Sequence, residues 1–143
     1  FNKAINNSIQ SAMSLSDLFC VERHREFFLE LVQNKLNITF ANEQEIMGLI
    51  GTNNFNDVVE FAKKIKKIIV ITRGEKGAMV IKNDKVEECI AQKNLKIKDL
   101  TGAGDLFAAG FLHGYVNKLT LKESLEKGTE LSSKIIQQVG ARL

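Results

Sequence analysis

Two aspartates flank a glycine turn in the stretch Asp99–Asp105, which reads DLTGAGD. Gly102 and Gly104 stand directly before a predicted helix over 103–116, and the free backbone amides at a helix start attract anions. A glycine lets the backbone approach a phosphate closely because no Cβ intervenes. Asp105 falls in the first helical turn, where its carboxylate could take the proton of a hydroxyl that attacks the bound phosphoryl group. The pattern therefore predicts a phosphoryl-transfer site.

The same residues also have a structural interpretation. An acid in the first turn of a helix is favourable for the helix dipole alone, and a Gly-Ala-Gly turn can serve close packing. Small residues continue along the helix at Ala108, Ala109, Gly110 and Gly114. Each internal glycine costs about 1 kcal/mol, so these residues indicate a helix that packs closely against a neighbour. Close packing does not explain the acid at the helix start.

Two other glycine motifs are excluded. A dinucleotide-binding GxGxxG motif would need glycine at position 107, which is Phe107, and this disfavours a dehydrogenase-like domain. A P-loop ends in Gly-Lys-Ser or Gly-Lys-Thr, and the stretch Gly74–Gly77 does not.

The elements that must position the glycine turn alternate between strands and helices. The β-branched run Ile68–Thr72 has no polar alternation, which is typical of a strand in a parallel sheet covered on both faces. The pattern as a whole predicts an α/β layered sheet. The predicted strands are 11–15, 37–41, 68–72 and a hairpin of 78–81 with 85–91; the predicted helices are 21–33, one that begins at 43, one from 56 or 57 to 66, 103–116 and 120–139.

Several polar and glycine residues have capping or turn interpretations. Asn42 is a good helix cap, and Glu45 lies at the third position after it, where a capping box places its acid. Thr120 and Glu123 repeat this spacing. Gly74 and Gly77 alone predict a plain turn, and Gly140 is suitably placed for a helix C-cap. These interpretations stay open beside a functional one.

Four motifs in one order resemble those of the ribokinase-like (PfkB) carbohydrate and nucleoside kinases. Asp99–Asp105 is similar to the DTxGAGD signature, Asn42–Glu45 to NxxE, Thr72–Gly77 to TxGxxG, and Gly140–Ala141 to the terminal Gly-Ala. The resemblance implies a three-layer, Rossmann-like, mostly parallel sheet flanked by helices. It also implies ATP-dependent phosphoryl transfer to the hydroxymethyl group of a sugar or nucleoside. The phrases Ser14–Arg25, Phe40–Glu43 and Gln138–Arg142 resemble the bacterial adenosine kinases.

The resemblance assigns roles to the matching positions. Asp105 is the implied catalytic base, and Gly102, Ala103 and Gly104 form the implied anion hole. The implied cofactors are ATP with Mg²⁺, the latter held through water, and K⁺. The implied ATP-site residues are Asn42, Glu45, Thr72, Arg73, Gly74, Gly77, Gly140 and Ala141, with Glu45 toward Mg²⁺; Asp99 and Thr101 are the implied monovalent-cation ligands.

The sequence departs from the family pattern in two residues and in length. Leu100 replaces the usual Thr or Ser, which weakens the cation-site inference, and Arg73 replaces the usual apolar residue. Family members are longer, so we expect residues 1–143 to be a single C-terminal nucleotide-binding portion with an incomplete N-terminal part. The alternative to a kinase is a truncated chain that binds nucleotide without catalytic turnover.

Composition bounds the remaining function classes. The chain has 143 residues, of which 20 are basic and 17 acidic, and this mild, interspersed charge disfavours nucleic-acid binding. No apolar run could span a membrane. Cys20 and Cys89 are far apart, and His24 and His113 share no ligand spacing, which favours a reduced cytoplasmic protein without structural zinc. The expected partners are ATP and a small-molecule substrate, adenosine or a sugar, with a homodimer in the full-length protein.

Overall fold

The computed structural model describes residues 2–7 and 9–142. Within that range strands and helices alternate along the chain. A π-helical turn spans Leu31–Lys35 and a 3₁₀ turn spans Gly74–Lys76. The strands are β1 (Ala12–Ser14), β2 (Ile38–Asn42), β3 (Ile68–Thr72), β4 (Ala78–Lys82) and β5 (Lys85–Cys89); the helices are α1 (Asn2–Asn6), α2 (Leu18–Arg23), α3 (Arg25–Glu30), α4 (Glu43–Ile50), α5 (Phe55–Ile65), α6 (Ala103–Val116) and α7 (Leu121–Ile135).

The strands form one sheet in the order β1-β2-β3-β4-β5. Strands β1, β2 and β3 are parallel, with Ala12 opposite Ile38 and Ile38 opposite Ile68. A two-residue turn at Asn83 and Asp84 joins β4 to its neighbour β5, and such a short connection makes an antiparallel pair. The parallel sheet and the hairpin are both as the sequence predicts.

The chain divides into two compact units, the residues up to Thr72 with Ile81–Val86, and Arg73–Val80 with the residues from Glu87 onward. The core of the first unit includes β3, in which each residue of Ile68–Ile71 is at most 5% exposed. This burial explains the β-branched run, because a central parallel strand is covered on both faces. Val21, Val32, Ile46 and Leu49 from the helices are also fully buried.

In the second unit α6 packs on α7 through glycines. A Cβ on Gly110 would lie 2.5 Å from the Lys127 carbonyl oxygen, one on Gly114 2.8 Å from the Ser124 hydroxyl, and one on Gly128 2.8 Å from the Phe107 carbonyl. The backbones approach closely because none of these positions has a side chain. Gly110 and Gly114 of α6 therefore serve close packing, as the pattern predicts, whereas Ala109 is exposed.

Several helix boundaries differ from the sequence expectation. The predicted helix 21–33 is broken at His24 (φ −123°, ψ 33°) into α2 and α3. It also starts earlier, because Asp17 accepts a hydrogen bond of 3.1 Å from the Cys20 amide and caps α2. Helix α5 begins at Phe55 because Asn54 is its cap.

Helix α7 ends at Ile135, four residues before the predicted end. Its C-cap is Ile136, so the expectation that Gly140 caps the helix is wrong. Gly140 instead takes a positive φ of 92° in the irregular segment that follows, where it serves a different contact.

Candidate functional site

Helix α6 begins without a side-chain cap. Its N-cap residue is Gly102, in the left-handed conformation with φ 78°. The Gly102 carbonyl accepts from the Leu106 amide at 2.9 Å, and the Ala103 amide donates to the Leu100 carbonyl at 3.1 Å. Among the described residues, the amides of Gly104 and Asp105 have no protein acceptor. Of the predicted anion hole, Gly104 thus offers an open amide, whereas the Ala103 amide is used inside the turn.

Asp105 lies in the first turn of α6 and is exposed to solvent. No described residue makes a side-chain hydrogen bond or ion pair with it. A Cβ built on the neighbouring Gly104 would find nothing within 4 Å, so the space on the side-chain side of this position is open. A ligand in this space would meet backbone donors and one carboxylate together.

Asp99 holds the glycine turn through hydrogen bonds. Its Oδ1 accepts from the Thr101 amide at 2.9 Å and from the Thr101 hydroxyl at 2.7 Å, and its Oδ2 accepts from the Gly140 amide at 3.0 Å. The Thr101 hydroxyl, the Gly140 amide and the Thr101 amide together lower the pKa of Asp99 to about 2. The carboxylate is therefore ionised at neutral pH.

The terminal Gly-Ala motif lies against this turn. The amides of Lys98 and Asp99 donate to the Ile136 carbonyl at 2.8 and 3.3 Å. A Cβ on Gly102 would lie 2.9 Å from the Cβ of Ala141, and the positive φ of Gly102 also favours glycine. The structure thus brings together two motifs that are about forty residues apart in the sequence.

The NxxE motif forms a complete capping box at the start of α4. Asn42 Oδ1 accepts from the Glu45 amide at 2.8 Å, and the Glu45 carboxylate accepts from the backbone amide of Asn42 at 2.9 Å and from its side-chain amide at 2.7 Å. The structural interpretation of these two residues is confirmed, while their role toward ATP stays a prediction. Asn42 also pairs with Thr72 in the register of β2 and β3, so two of the predicted ATP-site residues are neighbours at the carboxyl ends of parallel strands.

Glu45 is buried, with 6% of its surface exposed. Burial raises its pKa, the Asn42 backbone bond opposes this rise, and the negative charge of Asp17 adds to it. Asp17 is not among the residues that the sequence predicts for the site. It could have been found from its position just after β1, because the carboxyl ends of neighbouring parallel strands share one edge of the sheet.

The hydrogen bonds of Glu45 determine how it could contact the expected Mg²⁺. Each carboxylate oxygen accepts one bond from Asn42 and keeps a lone pair for a water. Among the described residues no group of three or more His, Cys, Asp and Glu side chains could hold a metal ion. The residues fit an ion held mainly by nucleotide phosphates and reached by Glu45 through water, which is how Mg²⁺ commonly binds.

The TxGxxG motif closes into a 3₁₀ turn after β3. The Arg73 amide donates to the Gly77 carbonyl at 2.8 Å, and the Gly77 amide donates to the Gly74 carbonyl at 3.0 Å. Gly77 has φ 93° and faces the Cys89 carbonyl, which a Cβ would strike; Gly74 has φ 57° but faces open space. The Arg73 guanidinium lies 3.9 Å from the Glu88 carboxylate, and the Arg73 side chain is 19% exposed. Arg73 is therefore largely buried and paired with an acid, unlike a fully solvated surface arginine.

Comparison with known proteins identifies the family. Residues 6–143 match the pfkB family of carbohydrate kinases. A cytidine kinase from Thermococcus kodakarensis is 33% identical over 82% of this chain and 43% of its own length.

None of the helices in the described part of the chain is long and apolar enough to cross a membrane.

Two solved structures share the fold. A probable sugar kinase from Rhizobium etli has 37% identity and a TM-score of 0.94, with 99% of this chain and 43% of that one covered. An adenosine kinase from Sinorhizobium meliloti has 36% identity and a TM-score of 0.95, with 99% and 44% covered. The chain spans less than half the length of each relative. The expected mixed α/β sheet with flanking helices is confirmed, and the chain belongs to the pfkB family of carbohydrate kinases.

Proposed function

We propose that this chain supplies the nucleotide-binding and phosphoryl-transfer part of a sugar or nucleoside kinase that uses ATP and Mg²⁺. The observation that carries the proposal is the open start of α6. There the amides of Gly104 and Asp105 have no acceptor among the described residues, and the Asp105 carboxylate is exposed beside them. At the starts of α4 and α7, in contrast, a capping side chain accepts the third amide of the first turn.

The geometry suits one arrangement of the reaction. The amides of Gly104 and Asp105 donate to oxygens of the transferring phosphoryl group, and the helix dipole favours its negative charge. Asp105 accepts the proton of the substrate hydroxyl while that oxygen forms its bond to phosphorus and the bond to the nucleoside diphosphate breaks. A bound Mg²⁺ would offset the negative charge of the phosphates, and Glu45 would hold one of its waters.

The acceptor we propose is adenosine or a related nucleoside or sugar. Support comes from relatives that include an adenosine kinase and a cytidine kinase and from the phrases that resemble bacterial adenosine kinases. The cysteines, Cys20 and Cys89, are free and suit a reducing compartment, so we place the reaction in the cytoplasm.

The direct test compares Asp105→Asn with the wild-type protein as its gene encodes it. Loss of the base should lower kcat by about 10² or more, while the affinity for ATP with Mg²⁺, measured by calorimetry, stays within a few fold. The control is Glu123→Gln, since Glu123 is also an exposed first-turn acid and should leave kcat unchanged.

Two results would contradict the proposal. Near-normal turnover of Asp105→Asn would remove Asp105 from its role as base. A wild-type protein that binds ATP but transfers no phosphoryl group to adenosine or to any of a panel of nucleosides and sugars would favour the alternative, a nucleotide-binding chain without turnover.

A further inference from the structure

The Asp99 carboxylate is surrounded by hydrogen donors. Thr101 provides two of them and Gly140 the third, at 2.7 to 3.0 Å. On the same strip of backbone the Ile136 carbonyl accepts the amides of Lys98 and Asp99. Segments 98–102 and 136–141 are therefore joined at several points, and Asp99 takes part in most of them.

We propose that Asp99 is a positioning residue that fixes the Gly102 turn by these hydrogen bonds, so that the turn is built without a monovalent cation. The proposal deepens the proposed function and rests on it, because this turn offers the open amides to the phosphoryl group. It departs from the K⁺ site that the family resemblance implies at Asp99 and Thr101.

The oxygens near the turn are poorly suited to K⁺. A bound K⁺ exchanges its water shell for several oxygens, whereas N–H and O–H groups that point at Asp99 repel a cation. The Leu100 carbonyl accepts from the Ala103 amide at 3.1 Å, and the Ile136 carbonyl accepts two amides. The Leu100 side chain is 65% exposed and brings no oxygen.

The same bonds explain how the turn is held in shape. An ionised carboxylate makes shorter and stronger hydrogen bonds than a neutral group, and one carboxylate here joins the turn to the segment that carries Ala141. Ala141 packs against Gly102, the N-cap residue of α6. A movement of segment 136–141 would therefore displace the Gly102 turn at the start of α6.

The first experiment tests the cation. The unfolding temperature of the protein as encoded is measured in about 0.1 M KCl, NaCl and tetramethylammonium chloride. Binding of an ion to the folded state alone would raise this temperature in proportion to ln(1 + [K⁺]/Kd), a shift of several degrees for a site with Kd near 1 mM. We expect the three salts to agree within about 1 °C. A rise specific to K⁺ would overturn the cation-free turn.

The second experiment tests positioning with Asp99→Asn, in which an NH₂ group replaces one oxygen and faces a donor. We expect the backbone amide NMR signals of Gly104 and Asp105 to shift and ATP binding to weaken at least tenfold. Thr101→Val, which removes only the hydroxyl donor, should give a smaller change of the same kind and serves if Asp99→Asn does not fold. Glu123→Gln is the matched control and should leave both signals and affinity within twofold.

The outcomes separate the two proposals. Unmoved Gly104 and Asp105 signals in both Asp99→Asn and Thr101→Val, with affinity unchanged, would overturn the role of Asp99. If the Gly104 and Asp105 signals shift in the variants but the wild-type protein does not bind ATP, the positioning role of Asp99 would be supported and the proposed function would be contradicted. Because the NMR signals are recorded without nucleotide, the test of the role of Asp99 does not depend on ATP binding.

Discussion

Helices α4 and α6 both begin at a motif of the family, yet their first turns are built in opposite ways. The start of α4 is closed by its own side chains, since Asn42 and Glu45 exchange three hydrogen bonds of 2.7 to 2.9 Å. The start of α6 has Gly102 as its cap and no side-chain bond. Helix α7, whose N-cap is Thr120, has the same kind of capping box as α4, so this arrangement also occurs at a helix start outside the family motifs.

The difference indicates which helix start can receive an anion. Every helix leaves amides of its first turn without intrahelical partners, and these are satisfied either by a cap or by something from outside. In α4 and α7 a side chain accepts the third amide of the first turn, whereas the corresponding amide of α6, that of Asp105, has no acceptor among the described residues. Glu45 brings a further negative charge to the start of α4, so an anion is better placed at α6.

Among the changes that test this comparison of helix starts, Gly104→Ala has the largest expected effect. The site has space for a methyl group, with nothing within 4 Å, and alanine is preferred over glycine inside a helix by roughly 0.5–1 kcal/mol. The unfolding temperature should therefore stay the same or rise. The methyl group would fill open space beside these amides and hinder the approach of a phosphoryl group, so we expect kcat/KM to fall at least about tenfold.

Steady-state kinetics and calorimetric scans on the same samples check this prediction. Ala109→Ser, an exposed change farther along α6, is the control and should alter neither quantity. Full activity of a stable Gly104→Ala protein would mean that the open helix start is not where the phosphoryl group binds.

The sequence predicts the locally encoded parts of this comparison. The β-branched run gives β3 its observed bounds, 68–72, and the glycine turn gives α6 its observed bounds, 103–116. The capping box of Asn42 and Glu45 is also local, because its spacing within four residues fixes it.

Long-range contacts are what the sequence could not give. The effect of Asp17 on Glu45 depends on the carboxyl ends of β1 and β2 lying side by side, which parallel pairing decides. The contact of Ala141 with Gly102 depends on where the chain turns after α7. The break at His24 between α2 and α3 could not be predicted, because no glycine or proline lies near it in the sequence.

A medium effect is expected when the two capping boxes are opened. Asn42→Ala and Thr120→Ala each remove the side chain that accepts the third amide of a helix, at a cost of about 1 kcal/mol. Each change also removes a 2.7 Å side-chain bond to the carboxylate of its box. Because Glu45 is buried and Glu123 is exposed, the cost of Asn42→Ala should be the larger, about 2 kcal/mol. Urea unfolding of the two variants measures the difference, and equal losses would show that burial adds nothing to the α4 box.

The smallest effect is the pH dependence of the same two boxes, for which we expect opposite signs. Burial raises the pKa of Glu45 above 4.5, whereas the hydrogen bonds from the Thr120 hydroxyl and amide lower the pKa of exposed Glu123 below it. A raised folded-state pKa means that the folded protein binds the proton more tightly than the unfolded chain. The stability due to Glu45 therefore grows as the pH falls from its raised pKa through 4.5.

The contribution of Glu123 runs the other way, because a lowered pKa gives stability above pH 4.5 that is lost as the pH falls toward the folded-state value. Unfolding temperatures of wild type, Glu45→Gln and Glu123→Gln between about pH 7 and pH 3.5 check both signs. On acidification the difference between wild type and Glu45→Gln should rise, and the difference between wild type and Glu123→Gln should shrink. If the two differences changed in the same direction, the burial of Glu45 would not be what separates the α4 box from the α7 box, and a hydrogen-bonded cap would behave alike at every helix start.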